Sequence, residues 1–301
     1  MKDCIIFDTH SDTMSELLNR GARLSENDMH IDMKRLSEYK SYTQVFAAFI
    51  DPEYKDCAME RACEIIDNFY RETAENGITV CKSYTDWKNA KTSVKAFLSL
   101  EGGEPIETLG DVDKLYKMGV RMIALTWNYK NKIACGVCEK EDTGLSQFGK
   151  SVIREMNRLG IIPDVSHLSP KSFWDVAEVS KRPIIASHSC SKAVHDHIRN
   201  LTDEQFCKIR DMRGVVGINF YPEFLGGDIA DIARHIDRFM SLGGEDNIGL
   251  GSDFDGVERL PDGIGGVQDM DKIIKSLPYG TEVREKIAYR NFMRLFKEYD
   301  C

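Results

Sequence analysis

The sequence predicts an α/β fold, a (β/α)8 TIM-like barrel that forms a single domain over residues 1–301. Short apolar or β-branched runs alternate with helix-like stretches along the chain, which is typical of parallel strands joined by right-handed helical crossovers. A doubly wound open sheet would show the same alternation. Eight strand–helix units in 301 residues favour the closed barrel, since such barrels take about 250 residues.

The predicted strands are short runs bounded by turn residues, at residues 4–9, 43–50, 96–100, 122–127, 161–165, 183–187, 215–220 and 248–251. The predicted helices carry apolar residues three or four positions apart, at residues 57–76, 149–159, 170–179, 229–242 and 281–298. Ser169 before Pro170 is typical of an N-cap followed by proline in the first helical turn. The first connection, residues 11–42, is longer than one helix needs and predicts an insertion near the barrel mouth.

Charge and hydropathy argue against two classes of partner. The 49 acidic and 40 basic residues give a net charge of −9, which repels nucleic-acid phosphates, so no nucleic-acid partner is expected. The longest apolar run, residues 45–50, is far shorter than the roughly 18 residues of a membrane-spanning helix. The apolar stretch near the N-terminus is shorter than the apolar core of a secretory signal. The nine cysteines are an odd number, which suits reduced thiols rather than a framework of disulfide bonds. A cytoplasmic location without membrane partners is therefore expected.

Polar side chains cluster where the predicted strands end, which is where barrel enzymes place their chemistry. The residues in question are His10, Asp12, Glu101, His167, His188, Asp253 and Asp255. Because side chains alternate along extended backbone, His10 and Asp12 face the same side and can reach one metal ion. Imidazole and carboxylate ligands suit a divalent metal such as zinc, and Glu101 is the candidate for a carboxylate that bridges two ions.

The remaining histidines, His30, His195, His197 and His235, fall in loops or helices and are expected to be solvated. Alternation alone does not choose between Asp253 and Asp255, since both would face the same way in an extended strand. The sequence therefore leaves open which of these two carboxylates belongs to the site.

Six motifs resemble those of the membrane (renal) dipeptidase family of binuclear zinc peptidases, and the match runs from about residue 6 to the C-terminal helix. They are FDTHSDT, SLEGGEPI, DVSHLS, ASHSCSKA, IRNLTDEQ and GLGSDFDGV, in the order of the family. The resemblance implies a (β/α)8 barrel that hydrolyses dipeptides and tolerates a D-residue at the C-terminal position. It also implies two zinc ions, one held by His10 and Asp12 and the other by His167 and His188, with Glu101 as the bridge.

The same resemblance implies the roles of three further residues. Asp253 matches the acid/base residue of the family, and Arg199 matches the arginine that binds the free carboxylate of the substrate. Many relatives carry a histidine after the fourth strand, where this chain has Trp127. The indole N–H of Trp127 is a donor without basicity, so Trp127 either donates to a developing oxyanion or only shapes the pocket.

The function expected from these observations is that of a zinc-dependent dipeptidase, in which a hydroxide bridging the two zinc ions attacks the peptide bond. The expected partner is a small dipeptide substrate, and a homodimer is left open. One alternative is another hydrolysis on the same binuclear site, of a lactone, a β-lactam or an N-acyl amino acid. A second is a non-catalytic metal-binding protein, against which the presence of both Asp253 and Arg199 argues.

Overall fold

Eight parallel strands form a closed ring in the computed structural model, which describes residues 2–300. The strands are β1 (Lys2–Asp8), β2 (Tyr39–Phe49), β3 (Thr79–Val80), β4 (Val94–Glu101), β5 (Val120–Ala124), β6 (Ile162–Asp164), β7 (Ile185–Ala186), β8 (Val215–Ile218) and β9 (Ile248–Leu250). The sheet runs in the order β2-β1-β9-β8-β7-β6-β5-β4, and the pairing of β2 with β4 closes it. The predicted single-domain barrel is thereby confirmed.

All eight predicted strands are present, with two differences from the prediction. The two-residue strand β3 was not predicted, and it pairs with the first half of β4 beside the ring. The predicted strands at 122–127, 183–187 and 215–220 run past the observed ends of β5, β7 and β8. The residues beyond these ends leave the sheet as loops, and those loops carry polar side chains at the barrel mouth.

Helices surround the ring. They are α1 (Thr13–Arg20), α2 (Met33–Leu36), α3 (Ala58–Glu75), α4 (Tyr84–Asn89), α5 (Leu109–Met118), α6 (Gln147–Leu159), α7 (Pro170–Val179), α8 (Asp203–Asp211), α9 (Pro222–Leu225), α10 (Ile229–Ser241), α11 (Met270–Ser276), α12 (Thr281–Glu285) and α13 (Asn291–Tyr299). The predicted N-cap is confirmed, because the Ser169 hydroxyl accepts a hydrogen bond from Ser172 N at 3.2 Å. The predicted last helix is present and runs without a break over residues 281–299, and it contains a π-helical turn at Lys286–Arg290 between α12 and α13.

The interior of the ring is filled by aromatic side chains from the strands and from α13. The Phe7 and Phe292 rings are stacked with centroids 5.4 Å apart, and Phe97 lies 4.4 Å from Phe296. A Cβ atom at Gly249 would lie 2.1 Å from Phe292 Cε2, so the close approach of this ring requires glycine. Residues 97 and 101 face the same side of β4, which places Glu101 above this aromatic layer.

Replacing Phe292 by Ala is expected to lower the free energy of unfolding by about 3–5 kcal/mol, because it leaves a cavity in a fully buried layer. Urea denaturation followed by circular dichroism measures this loss. Leu109, which is 41% exposed, provides the control: Leu109→Ala is expected to change the same free energy by no more than about 0.5 kcal/mol. A Phe292→Ala variant as stable as the Leu109→Ala variant would contradict the packing role of α13.

Two further expectations concern the whole chain. Among residues 2–300, no helix combines the length and the apolar character needed to cross a membrane. The eight cysteines in that range are free thiols, as expected, while Cys301 lies outside the described residues.

Candidate active site

The side chains predicted to bind metal meet at the carboxyl ends of the strands. His10 and Asp12 follow β1, Glu101 ends β4, and His167 and His188 follow β6 and β7. All five side chains are buried, and none is more than 7% exposed. The prediction that residues far apart in the sequence converge at one rim of the barrel therefore agrees with the structure.

Glu101 lies between two groups of ligand-type side chains. Its Oε2 atom is 3.1 Å from His10 Nε2, while its Oε1 atom is 2.8 Å from His167 Nε2 and 3.6 Å from His188 Nε2. The two carboxylate oxygens thus face different histidines. This is the arrangement that a carboxylate bridging two cations requires.

The group around His10 is completed by two carboxylates. Asp12 Oδ2 lies 3.8 Å and Asp253 Oδ1 lies 3.7 Å from His10 Nε2. The ligand atoms of His10, Asp12 and Asp253 lie within 4.8 Å of one another, and so do those of His10, Glu101 and His188. His10 Nε2 and Asp12 Oδ1 are buried without a hydrogen bond of acceptable geometry. Leaving such atoms unsatisfied costs about 1–3 kcal/mol each, so a bound cation fits these residues.

The histidines on the other side of Glu101 are oriented by their second ring nitrogens. His167 Nδ1 lies 2.9 Å from Asn128 Oδ1, which can only accept, so Nδ1 carries the proton. His188 Nδ1 lies 2.7 Å from Ser187 Oγ, whose hydroxyl donates a hydrogen bond to the Asp164 carboxylate, so Oγ accepts from Nδ1–H. Both Nε2 atoms therefore present lone pairs, and they lie 2.8 Å apart. Imidazoles held in this way are the usual protein ligands of divalent metals.

Electrostatics favour the protonation states that metal ligands need at Glu101, His167 and His188, but not at His10 and Asp12. Burial acts against protonation of His10, but the Glu101 and Asp12 carboxylates raise its pKa well above the usual value, and burial raises the pKa of Asp12 to about 7. Burial, followed by the positive charge of Arg199, lowers the pKa of His167 to about 4, and burial also lowers the pKa of His188 well below its usual value. Burial acts against ionisation of Glu101, but His10 and His167 hold its pKa well below the usual range. Neutral imidazole and ionised carboxylate are the forms that bind a metal ion.

The structure chooses between Asp253 and Asp255. Both residues have left-handed backbone conformations, with φ of 63° and 66°, so the alternation of an extended strand does not apply to them. Asp253 faces His10, and its Oδ2 atom accepts a hydrogen bond from Asn219 Nδ2 at 2.8 Å. Asp255 instead accepts from the Thr13 hydroxyl at 2.6 Å. Asp253 is therefore the carboxylate next to the candidate metal ligands.

A cleft of about 290 Å³ opens above these residues. Its walls include Phe49, Trp127, Arg199, Tyr221 and Phe224. Trp127 packs edge-on against Phe49 with ring centroids 5.5 Å apart, and its ring lies 6.2 Å from that of His167. The aromatic walls make this cleft suitable for a small organic ligand that reaches the ligand-type residues.

Arg199 is a buried cation without a carboxylate partner in the described part of the chain. It is 7% exposed, its Nε atom has no hydrogen-bond partner, and its Nη2 atom donates only a long bond of 3.5 Å to His188 O. The guanidinium carbon lies 5.2 Å from the centre of the Phe224 ring. A buried guanidinium with free donors beside a cleft is a ready site for an anionic group.

Comparison with known proteins identifies the family. A family model described as membrane dipeptidase, peptidase family M19, matches residues 1–300. The chain belongs to the membrane dipeptidase family. The resemblance inferred from the six motifs is thereby confirmed, and the family is one of metal-dependent peptidases.

Individual relatives agree with this family. An uncharacterized dipeptidase of Schizosaccharomyces pombe is 31% identical, over 99% of this chain and 81% of its own length. The crystal structure of dipeptidase AC, a family M19 metallopeptidase, matches with a TM-score of 0.91 and 26% identity over 99% of both chains. A metallopeptidase from Rhodobacter sphaeroides, liganded with a phosphinate mimic of the dipeptide L-Ala-D-Ala, matches with a TM-score of 0.89 and 26% identity, again over 99% of both chains.

Three residues near the site of this membrane dipeptidase family member were missed from the sequence. Asn128 and Asn219 follow β5 and β8. A search for amide side chains at strand ends, in addition to histidines and carboxylates, would have found them. The expectation that His235 is solvated was wrong, because its side chain is fully buried. Its spacing from Ile232, Ile236 and Phe239 on the buried face of α10 is the signal that was overlooked. His30, His195 and His197 are partly exposed.

Proposed function

We propose that the protein is a zinc-dependent dipeptidase that hydrolyses small dipeptides and accepts a D-residue at the C-terminal position. The observation that carries this proposal is the position of Glu101, whose two oxygens face His10 on one side and His167 and His188 on the other. The expected cytoplasmic location and the homodimer stay predictions.

The residues present fit two zinc ions. His10, Asp12 and one oxygen of Glu101 would hold the first ion, and the other oxygen of Glu101 with His167 and His188 would hold the second. When bound, two zinc ions polarise a substrate carbonyl and lower the pKa of bound water toward about 7. Such a site needs no serine or cysteine nucleophile.

The protein's own residues position the dipeptide and move protons. Arg199 binds the free carboxylate of the substrate through the donors that it does not use within the described chain. This contact fixes the distance from the C-terminus to the cleaved bond, which favours dipeptides over longer peptides. Asp253 accepts a proton from the attacking water and passes it to the leaving amine. Asn219 donates a hydrogen bond to the Oδ2 atom of Asp253 and so holds this carboxylate in place. Trp127 lies in the wall of the cleft, where its indole N–H is available as a donor.

The tolerance for a D-residue is supported by the Rhodobacter sphaeroides relative, whose ligand mimics L-Ala-D-Ala. A panel assay on the zinc-loaded protein tests the whole proposal. The panel contains L,L- and L,D-dipeptides, a tripeptide, a dipeptide amide, a lactone, a β-lactam and an N-acyl amino acid. Cleavage of both dipeptide classes, with much slower turnover of the other compounds, is the expected result. Preferential cleavage of the lactone, β-lactam or N-acyl amino acid would overturn it.

Replacing Arg199 by Ala is expected to raise KM for dipeptides about 10- to 100-fold, because it removes charge-assisted hydrogen bonds of about 1.5–3 kcal/mol. The control substrate is a dipeptide amide, which has no free carboxylate and whose KM is expected to change little. Arg199→Lys keeps the charge but loses the planar fork, so an intermediate KM is expected. Equal effects of Arg199→Ala on the acid and the amide would contradict the carboxylate role.

A further inference from the structure

His235 joins the two segments that surround Arg199. Its imidazole is fully buried on α10. Nδ1 accepts a hydrogen bond from Ser191 N at 2.9 Å, and Nε2 donates one to Leu225 O at 2.9 Å. One rigid ring thus connects the loop that follows β7 to the C-terminal end of α9.

The first of these segments carries Arg199. Ser191 and Leu201 form a parallel bridge, in which Lys192 N donates to Leu201 O and Leu201 N donates to Cys190 O, both at 2.8 Å. Residues 190–201 therefore form a loop closed at its base, and Arg199 lies near the end of that loop. The hydrogen bond from Ser191 N fixes this base to α10 through His235.

The second segment supplies the surface on which Arg199 rests. Phe224, next to Leu225 in α9, has its ring 5.2 Å from the Arg199 guanidinium carbon. Phe224 O also accepts a hydrogen bond from Asn200 Nδ2 at 2.8 Å. His235 Nε2 therefore holds the end of α9, and this end of the helix packs against Arg199 and Asn200.

Histidine is suited to this position because it offers an acceptor and a donor on opposite sides of a rigid ring. Nδ1 must be unprotonated to accept from Ser191 N, so the ring is neutral. Burial lowers the pKa of His235, and His195 in the neighbouring loop lowers it further. The Leu225 carbonyl and Asp231 on the same helix act to raise this pKa, but they do not outweigh burial. The neutral form is thus maintained at neutral pH.

We propose that His235 is a positioning residue for the substrate carboxylate, since it fixes both the Arg199 loop and the Phe224 segment. This inference rests on the proposed function, because it requires that Arg199 bind the carboxylate of a dipeptide. His235 touches neither the cleft nor the candidate metal ligands. Its loss should therefore weaken carboxylate binding and leave the chemistry of the bound substrate nearly unchanged.

The experiment compares KM and kcat of the zinc-loaded full chain for a dipeptide and for its amide. His235→Leu, which removes both hydrogen bonds, is expected to raise KM for the dipeptide about tenfold, with kcat within about twofold and little change for the amide. His235→Gln and His235→Asn can each restore one of the two bonds and are expected to recover part of the affinity. Ile236→Ala, a buried neighbour on α10, is the control: it should lower Tm without changing the ratio of the two KM values.

Three outcomes would overturn the inference, and they are distinguishable. If His235→Leu raises both KM values equally, or neither, while Arg199→Ala raises only that of the dipeptide, His235 has no positioning role but the proposed function stands. If the wild-type protein does not distinguish the dipeptide from its amide, the carboxylate role of Arg199 fails and the inference fails with it. If His235→Leu does not fold, the Gln and Asn variants decide, and dipeptide KM values equal to that of the wild type in both would refute the proposal.

Discussion

An Asp253→Asn variant is expected to lose kcat by about 100- to 10,000-fold while its zinc content stays unchanged. The amide has the size of the carboxylate but cannot accept a proton, so the transfer to the leaving amine is lost. Asp253 is 8% exposed, and its Oδ1 atom lies 3.7 Å from His10 Nε2, at the edge of the candidate metal site. Steady-state kinetics on the zinc-loaded protein, with metal analysis of the same sample, measure both quantities.

Asp255 provides the matched control for this variant, because it is the neighbouring acid that sequence alternation could not separate from Asp253. Its carboxylate accepts hydrogen bonds from the Thr13 hydroxyl and from His30 N, both at 2.6 Å. Asp255→Asn is therefore expected to lose less than about tenfold in kcat, mainly through a looser cleft wall. Full turnover in Asp253→Asn, or an equal loss in both variants, would show that Asp253 does not transfer the proton.

Glu101→Gln is expected to weaken the binding of at least one zinc ion by about 100-fold or more and to reduce activity accordingly. Loss of residues that only support metal ligands costs about 10- to 100-fold in affinity, and a direct bridging ligand should cost at least the upper value. The glutamine side chain has one oxygen, and an NH2 group takes the place of the second oxygen of glutamate. It therefore offers an acceptor either to the side of His10 or to the side of His167 and His188, but not to both. Equilibrium dialysis against zinc at several concentrations, followed by metal analysis, measures the change.

The control for this variant is Glu104→Gln, three residues further along the chain. Among the described residues, no hydrogen bond or ion pair joins Glu104 to a ligand-type histidine, and its carboxylate accepts a hydrogen bond from Asn131 Nδ2 at 3.3 Å. The Glu104→Gln variant is therefore expected to bind zinc with the same affinity as the wild-type protein. A Glu101→Gln protein that keeps two tightly bound ions would contradict the bridging role.

The fold could be predicted because its pattern is local. Strands that are buried on both faces appear as short β-branched runs, and their regular alternation with helices is sufficient to indicate the barrel. The one strand that was missed, β3, has two residues that are only partly buried, whereas the equally short β7 is fully buried and lies within the predicted run at residues 183–187. The π-helical turn before α13 was missed because the apolar spacing of residues 281–298 is compatible with an ordinary helix.

The site could be predicted only in part. The rule that barrel chemistry lies at the ends of strands located His10, Glu101 and the two other histidines of the cluster, because strand ends can be read from the chain. The rule could not separate Asp253 from Asp255, whose positive φ angles depend on the tertiary structure. Contacts between distant residues, such as that of His235 with Ser191, leave no trace in local spacing.

The burial of Arg199 belongs to the same class of unpredictable features. Its loop contains exposed residues, among them Ile198 at 55% exposure, and nothing in their order indicates that the next guanidinium is buried. The burial depends on Phe224, which is 25 positions later in the numbering and is brought near by α9 and His235. The family resemblance indicated the role of this arginine, whereas the structure provides the physical reason for it.

The most direct test of the account is anomalous diffraction at the zinc edge from crystals of the zinc-loaded protein. We predict two peaks, one among His10, Asp12 and Glu101 and the other among Glu101, His167 and His188, with a different oxygen of Glu101 bound to each ion. A single peak, two peaks that do not share Glu101, or no peak at this rim of the barrel would contradict the account.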